Sequence, residues 1–113
     1  MKIARIETYS TRRICVVRVE TDDGHTGFGQ IAPSNADISA MVLHRQIAPH
    51  ALGAEVDDLG GLTNRCIEAN YKFPWSYVCR AVGGLDTALW DLRGKIEGKS
   101  VCELLGGVPR MFP

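Results

Sequence analysis

The sequence predicts an α+β domain in which a three-stranded antiparallel meander is followed by a small helical bundle. Apolar residues alternate with polar ones in the first 31 residues and recur every three to four positions after Pro33. With 113 residues the chain can form one domain but not two, and its 45% apolar residues suffice for a packed core. Strands that precede helices in this way typically form a sheet with helices on one face.

Three strands are predicted before Pro33. The first covers residues 2–9, and the second, at 14–21, is rich in β-branched residues and exposes one of its two faces. The DDGHTG segment that follows is typical of a hairpin turn, because Asp-Gly supplies the positive φ that a tight turn requires. The third strand, HTGFGQI, then pairs with the second. Its glycines indicate a bulge or a close approach of another backbone.

Two helices are predicted between Pro33 and Pro74. Ser34 or Asn35 caps the first, which Pro49 stops or kinks, and the second begins near Asp57. The apolar stripe of the first is expected to contain Ile38, Met41, Val42 and Arg45. That of the second contains Leu59, Leu62, Cys66 and Ala69.

The third helix has the clearest pattern in the chain. Ser76 is expected to cap it and Gly98 to end it in a left-handed conformation. Its stripe follows the helical period over about five turns and consists of Val78, Ala81, Val82, Leu85, Ala88, Leu89, Leu92 and Ile96. Ser100 and Glu103 then match a capping box that opens one short terminal turn.

Composition disfavours several classes of partner. The 13 basic residues balance 13 acidic ones, so no excess charge attracts nucleic acid or an acidic membrane. No apolar run approaches the roughly 20 residues of a membrane span, and the first residues do not resemble an export signal, so we expect a cytoplasmic protein. The four cysteines form no C-x-x-C pair, which favours reduced thiols over disulfides or a zinc site.

Spacing alone assembles no catalytic group. The GHTGFG segment lacks G-x-G-x-x-G and joins two strands, where a phosphate-binding loop would open a helix. Asp86 and Asp91 are five residues apart on a helix and do not face each other, and the three histidines are isolated. We therefore predict no catalytic residue and no metal ligand within this chain.

The segment GGLDTALWDLRGK, residues 83–95, admits a functional and a packing interpretation. The adjacent Gly83 and Gly84 weaken a helix by roughly 1 kcal/mol each, so their presence needs a physical reason. The favoured reason is the close approach of another backbone. Either Asp86 or Asp91 is expected to accept hydrogen bonds from backbone or Arg, because lone buried carboxylates are costly.

Two motifs resemble one family. The segment AVGGLDTALWDLRGKIEGKSVCELLGG resembles the signature that closes the N-terminal capping domain of the enolase superfamily, in its mandelate racemase/muconate lactonizing enzyme branch. The segment VRVETDDGHTGFGQ is similar to the second and third strands of that domain. The resemblance extends from Lys2 to Gly107 in the expected order.

The resemblance implies that residues 1–113 are the N-terminal capping domain of a longer enzyme whose C-terminal (β/α) barrel is absent from this chain. In the family the barrel holds Mg²⁺ and the base that removes a proton α to a carboxylate. The short first loop favours a sugar-acid dehydratase, with a racemase/epimerase or cycloisomerase as alternatives. A stand-alone binding or oligomerisation module is a different alternative, and a nucleotide-binding domain has only the glycines in its favour.

The resemblance also implies a substrate-facing edge formed by two loops, one at about residues 10–13 and one at 30–36. Arg12, Arg13, Gln30 and Asn35 are the candidate substrate-binding residues, and Gln30 occupies a position where the family usually has Glu. Solvated strand-edge charges are the alternative for the two arginines. The expected partners are the barrel of the same polypeptide, a small acid sugar or other carboxylate, and further copies in a homo-oligomer.

An exposed apolar face is expected where a cap meets its barrel. Tyr71, Phe73, Trp75 and Met111 are the candidates for it, with local core packing as the alternative.

Overall fold

A computed structural model describes residues 1–110. Strands β1, β2 and β3 cover Ile3–Ser10, Cys15–Thr21 and Thr26–Ile31. Helices α1 (Ala36–Val42) and α2 (Ala48–Ala51) are joined by a π-helical segment, Leu43–Ile47. Helices α3 (Leu59–Ala69), α4 (Ser76–Glu97) and α5 (Val101–Leu104) follow. The predicted order of three strands and then helices is confirmed.

The three strands form an antiparallel meander in the order β1-β2-β3. Val17 lies opposite Thr8 on one side and Gly29 on the other. Cys15, Val17 and Val19 are buried, whereas Val16, Arg18 and Glu20 are half-buried on the opposite face. One face of the sheet therefore enters the core, as the alternation predicted.

Helix α4 packs directly on β3 because three glycines let the two backbones meet. A Cβ atom on Gly29 would lie 2.6 Å from the amide nitrogen of Ala88, and one on Gly27 would lie 2.6 Å from that of Leu92. On the helix side, a Cβ on Gly84 would overlap Ile31. The glycines of β3 thus allow the close approach of α4. The register irregularity of the sheet lies in β1, between Ile3 and Arg5.

The predicted stripe of α4 is confirmed. Its members from Val78 to Leu92 are buried, and Ile96 is partly buried against the same core. Gly98 ends the helix with φ 65°, and the Ser100–Glu103 capping box is formed in both directions.

The predicted facing of the first helix is wrong. Ile38 and Met41 are exposed, Arg45 is also exposed, and Val42 is only half-buried. The buried apolar residues are Ala36, Ala40, Leu43 and Ile47, and Ser39 is buried beside them. Two members of this buried face are small alanines, so a search for large apolar side chains selected the wrong stripe. Pro49 does not stop the helical path either, because it lies in the first turn of α2, where its missing N–H is not needed.

Two predicted caps also differ from the structure. Ser76 is the first residue of α4, and Trp75, with φ 68°, precedes it without a side-chain cap. Asn35 does occupy the N-cap position of α1, but its side chain makes no capping hydrogen bond. The second helix begins at Leu59, where the Asp58 carboxylate accepts from Gly61 N, two residues after the predicted start.

All four thiols are free in the described part of the chain. Cys15 and Cys66 are buried, and burial raises the pKa of both thiols, whereas Cys79 and Cys102 are exposed. None of the helices within residues 1–110 is long and apolar enough to cross a membrane.

Three of the four predicted barrel-facing residues are exposed. Tyr71, Phe73 and Trp75 are 72%, 56% and 78% accessible, so local core packing is wrong for them. Met111 lies outside the described residues. The contact of these residues, which lie between α3 and α4, with a barrel stays a prediction.

Asp91 attaches helix α4 to the outer edge of β3. Its Oδ2 accepts from the Phe28 amide at 2.8 Å and pairs with Lys95 Nζ at 2.8 Å. Burial raises the pKa of Asp91, but the hydrogen bonds from Lys95 and Phe28 outweigh burial, so its pKa is lowered. Burial raises the pKa of Asp86, which Trp90 only partly offsets. The expected backbone hydrogen bond is therefore made by Asp91.

We expect Asp91→Asn to destabilise the chain by about 1 kcal/mol or less at pH 7, because Asp91 is partly exposed. A lowered folded-state pKa adds stability above the unfolded-state pKa of about 3.9, and this stability is lost as pH falls through the folded-state pKa. Urea unfolding from pH 7 to pH 3 should show the difference from wild type shrinking toward zero. A difference that grows in acid would contradict the assignment.

Candidate functional site

The first loop is a tight turn that joins β1 to β2. Thr11 N donates to Ile14 O at 2.7 Å, and the Thr11 hydroxyl accepts from Arg13 N and Ile14 N at 3.2 and 3.1 Å. Four residues thus complete the turn with their own hydrogen bonds. The backbone that carries Arg12 and Arg13 is therefore held by hydrogen bonds within the turn itself.

The second loop, between β3 and α1, is joined to the first. Ala36 N donates to Arg12 O at 2.9 Å. Ser34 and Asn35 both adopt positive φ, 72° and 53°, which is uncommon outside glycine and typical of tight or functional loops. The two loops therefore form one rim at this end of the sheet.

A cavity of about 270 Å³ opens within this rim. Arg12, Arg13, Ser34 and Asn35 line it. The structure thus brings together three of the four sequence-predicted site residues. Gln30 is not among the lining residues: it lies on the exposed face of β3, opposite Val16.

Helix α4 holds the second loop through two residues that the sequence analysis did not single out. Asn35 Nδ2 donates to Tyr77 Oη at 3.0 Å, and Arg80 Nη1 donates to Ser34 O at 3.1 Å. The Arg80 guanidinium also lies 5.4 Å from the centroid of the Tyr77 ring, within cation–π range. Tyr77 and Arg80 are three residues apart, about one turn, at the polar start of α4. This spacing is visible in the sequence and places the two side chains on the same side of the helix.

The rim carries basic charge and no group suited to proton transfer. None of the four lining side chains is a carboxylate, imidazole, amine or thiol. Among residues 1–110, no set of three or more His, Cys, Asp and Glu side chains lies close enough to hold a metal ion. The described residues therefore do not fit a magnesium site, and the rim can bind and orient an anion but not activate it.

A larger cavity, of about 330 Å³, lies at the other end of α4. Its cation Arg93 is already engaged: it donates to the carbonyls of Val56 and Asp57 and pairs with Glu97 at 2.6 Å. This arrangement attaches α4 to the segment before α3. We assign it a structural role.

The profile of the family described as Mandelate racemase / muconate lactonizing enzyme, N-terminal domain, matches residues 1–106. The chain belongs to this family. The expected membership of the enolase superfamily is confirmed, as is the α+β fold of its N-terminal domain.

Two solved structures share the fold closely. A proposed racemase from Roseobacter denitrificans is 50% identical, with a TM-score of 0.92 over 96% of this chain. A mandelate racemase/muconate lactonizing protein from Paracoccus denitrificans PD1222, complexed with magnesium, is 36% identical with a TM-score of 0.88, again over 96% of this chain. The chain covers only 30% and 31% of these two proteins.

A curated relative, the D-galactonate dehydratase of Xanthomonas campestris pv. campestris (strain B100), is 33% identical over 111 residues. That alignment spans 97% of this chain and 29% of the relative. The chain thus corresponds to about three tenths of the length of its relatives.

Proposed function

We propose that this mandelate racemase/muconate lactonizing N-terminal domain is the substrate-capping domain of a longer, magnesium-dependent enzyme that dehydrates an acid sugar. The observation that carries the proposal is the convergence of Arg12, Arg13 and Asn35 on one cavity. Two basic side chains and an amide on a joined pair of loops suit a carboxylate-bearing, hydroxyl-rich substrate. The metal-binding and proton-transferring groups are assigned to a C-terminal barrel outside this chain.

The chain's own residues would bind and orient the substrate, and they would exclude water from it. Arg12 and Arg13 offer guanidinium donors to an anionic group, and Asn35 and Ser34 offer polar atoms to hydroxyls. The second loop would cover the substrate. Closing a site in this way strengthens its electrostatic interactions and prevents side reactions.

A racemase or epimerase acting on the same class of acid is the second candidate. The 50% identity to the proposed racemase from Roseobacter denitrificans favours it, whereas the curated D-galactonate dehydratase favours dehydration. The product distinguishes them, because dehydration yields a keto-deoxy acid and epimerisation returns an acid of the same mass. A homo-oligomer of the longer protein is part of the proposal.

We expect Asn35→Ala, made in the longer protein, to change KM or substrate preference more than stability. Loss of one neutral hydrogen bond is worth about 0.5–1.5 kcal/mol, or roughly a two- to twelvefold change in KM. Product analysis on a panel of acid sugars, with urea midpoints measured in parallel, checks this.

Asn64→Ala is the matched control, since Asn64 is exposed on α3. Equal kinetic effects of Asn35→Ala and Asn64→Ala would remove the second loop from the substrate site. A panel in which no acid sugar is turned over would overturn the proposed activity itself.

A further inference from the structure

Strained backbone lies on both sides of the contact between the second loop and α4. Among residues 1–110, positive φ outside glycine occurs at Ser34 (72°) and Asn35 (53°) in the second loop, and at Trp75 (68°) and Ser76 (50°) where α4 begins. An L-residue in this region crowds its own backbone, so the conformation persists only where surrounding contacts hold it. Each pair therefore needs contacts that keep it in place.

Side chains of α4 supply such contacts to both residues of the second loop. Tyr77 Oη accepts from Asn35 Nδ2 at 3.0 Å, and Arg80 Nη1 donates to Ser34 O at 3.1 Å. The Arg80 guanidinium, 5.4 Å from the centroid of the Tyr77 ring, joins these two side chains to each other. Tyr77 directly follows the strained Trp75–Ser76 pair, so the conformation of that pair sets the position from which its side chain reaches the loop.

The Asn35 amide is committed to α4 and not to its own helix. Asn35 occupies the N-cap position of α1, where an Asn side chain ordinarily accepts from a backbone N–H of the first turn. Within the described residues it makes no such hydrogen bond, and it lines the cavity of the rim while one of its N–H groups is donated to Tyr77. The amide also has a second N–H and a carbonyl oxygen. Tyr77 therefore fixes the orientation in which these groups are held at the cavity.

Helix α4 is a rigid support for the loop. It is 22 residues long, and its backbone lies directly against β3 at Gly29. Tyr77 and Arg80 lie in its first two turns, and in the described structure neither lines the cavity. Their effect on a bound substrate would therefore pass through the loop that they hold.

We propose that Tyr77 and Arg80 are positioning residues of the substrate site, which hold Ser34 and Asn35 in their left-handed conformation and so present the Asn35 amide to the substrate. The inference rests on the proposed function, to which it adds two residues outside the cavity. Removing either contact is expected to loosen the loop while the fold of the domain persists.

A double-mutant cycle in the longer protein tests the action of Tyr77 through Asn35. Tyr77→Phe removes only the hydroxyl group and keeps the ring beside Arg80. We expect it to raise KM for the acid sugar by about two- to twelvefold, the effect of one neutral hydrogen bond, while kcat changes less. In an Asn35→Ala background the same change should have no further effect, because the partner of the hydroxyl is already absent. Effects on KM that multiply in the double variant would overturn the inference.

Tyr9→Phe is the matched control for Tyr77→Phe. It also removes one hydroxyl hydrogen bond, from Tyr9 Oη to Glu7 at 3.2 Å, on an exposed part of β1. An equal rise in KM for the two variants would likewise overturn the inference.

Hydrogen–deuterium exchange of the longer protein without substrate measures the hold on the loop itself. Ala36 N donates to Arg12 O, so the Ala36 amide exchanges when the two loops separate. We expect Tyr77→Phe and Arg80→Gln each to speed its exchange by about two- to twelvefold, whereas amides of the central strand β2 keep their rates. Adding Ser34→Gly to Arg80→Gln should slow the exchange again, because glycine adopts positive φ without strain.

Arg65→Gln, exposed on α3, is the matched control for Arg80→Gln and should leave the exchange rate unchanged. Unchanged exchange in both α4 variants, or a rate that Ser34→Gly does not lower, would overturn the inference whatever the turnover. Faster exchange in a protein that turns over none of the acid sugars would support the hold on the loop and overturn the proposed activity.

Discussion

Leu89→Ala is expected to lower the free energy of unfolding by about 2–5 kcal/mol, a large fraction of the stability of a small domain. Leu89 is fully buried near the middle of α4, among Leu85, Leu92 and the sheet. Truncation removes its apolar contacts and leaves a cavity that a helix held against β3 cannot close.

Urea unfolding of the variant and of Leu52→Ala measures this effect. Leu52 follows α2 and is 47% exposed, so its truncation should cost far less. An unchanged midpoint for Leu89→Ala would contradict the facing of α4.

Gly29→Ala is expected to destabilise the chain by about 1–3 kcal/mol, although it adds only one methyl group. The added Cβ would lie 2.6 Å from Ala88 N, and backbone atoms of a 22-residue helix cannot shift locally to make room. The helix and β3 would have to separate, which loosens the contact on which the sheet's core face depends.

Gly83→Ala should have the opposite effect on stability, although Gly83 is the neighbour of the packed Gly84. A Cβ on Gly83 meets nothing within 4 Å in the described structure, so the better helix propensity of Ala should stabilise the chain by up to about 1 kcal/mol. Urea midpoints that fall for Gly29→Ala and rise for Gly83→Ala would confirm the packing role. A rise for both would contradict it.

The order of elements and the core stripe of α4 were predictable because large apolar side chains repeat at the helical period over five turns. The facing of α1 was not, because Ala36 and Ala40 are buried while Ile38 and Met41 are exposed. Small buried residues such as alanine leave only a weak hydrophobic signal. Only the tertiary packing identifies them.

The sequence-based interpretation of GGLDTALWDLRGK as a packing segment holds for one glycine of its Gly-Gly pair. Gly84 lies against Ile31, whereas Gly83 faces open space, and no account of Gly83 follows from this chain alone. Spacing alone could not separate them, since neighbouring helix positions point about 100° apart and the pattern does not say which one meets the strand.

The candidate site was predictable only through the loops. The resemblance to the family assigned two loops to the substrate and so indicated Arg12, Arg13 and Asn35, and the structure places these three around one cavity. Gln30 was taken as the first residue of the second loop, but it belongs to β3, and strand alternation turns it to the exposed face of that strand. Tyr77 and Arg80 were missed because their role depends on a contact between segments more than 40 residues apart.

Turnover of acid sugars with and without a chelator tests the central claim most directly, if the longer protein and residues 1–113 are assayed side by side. The account predicts that EDTA abolishes turnover by the longer protein, that added Mg²⁺ restores it, and that residues 1–113 alone are inactive. Turnover by residues 1–113 would contradict the capping role, and a longer protein that is active and insensitive to the chelator would contradict the proposed metal-dependent chemistry.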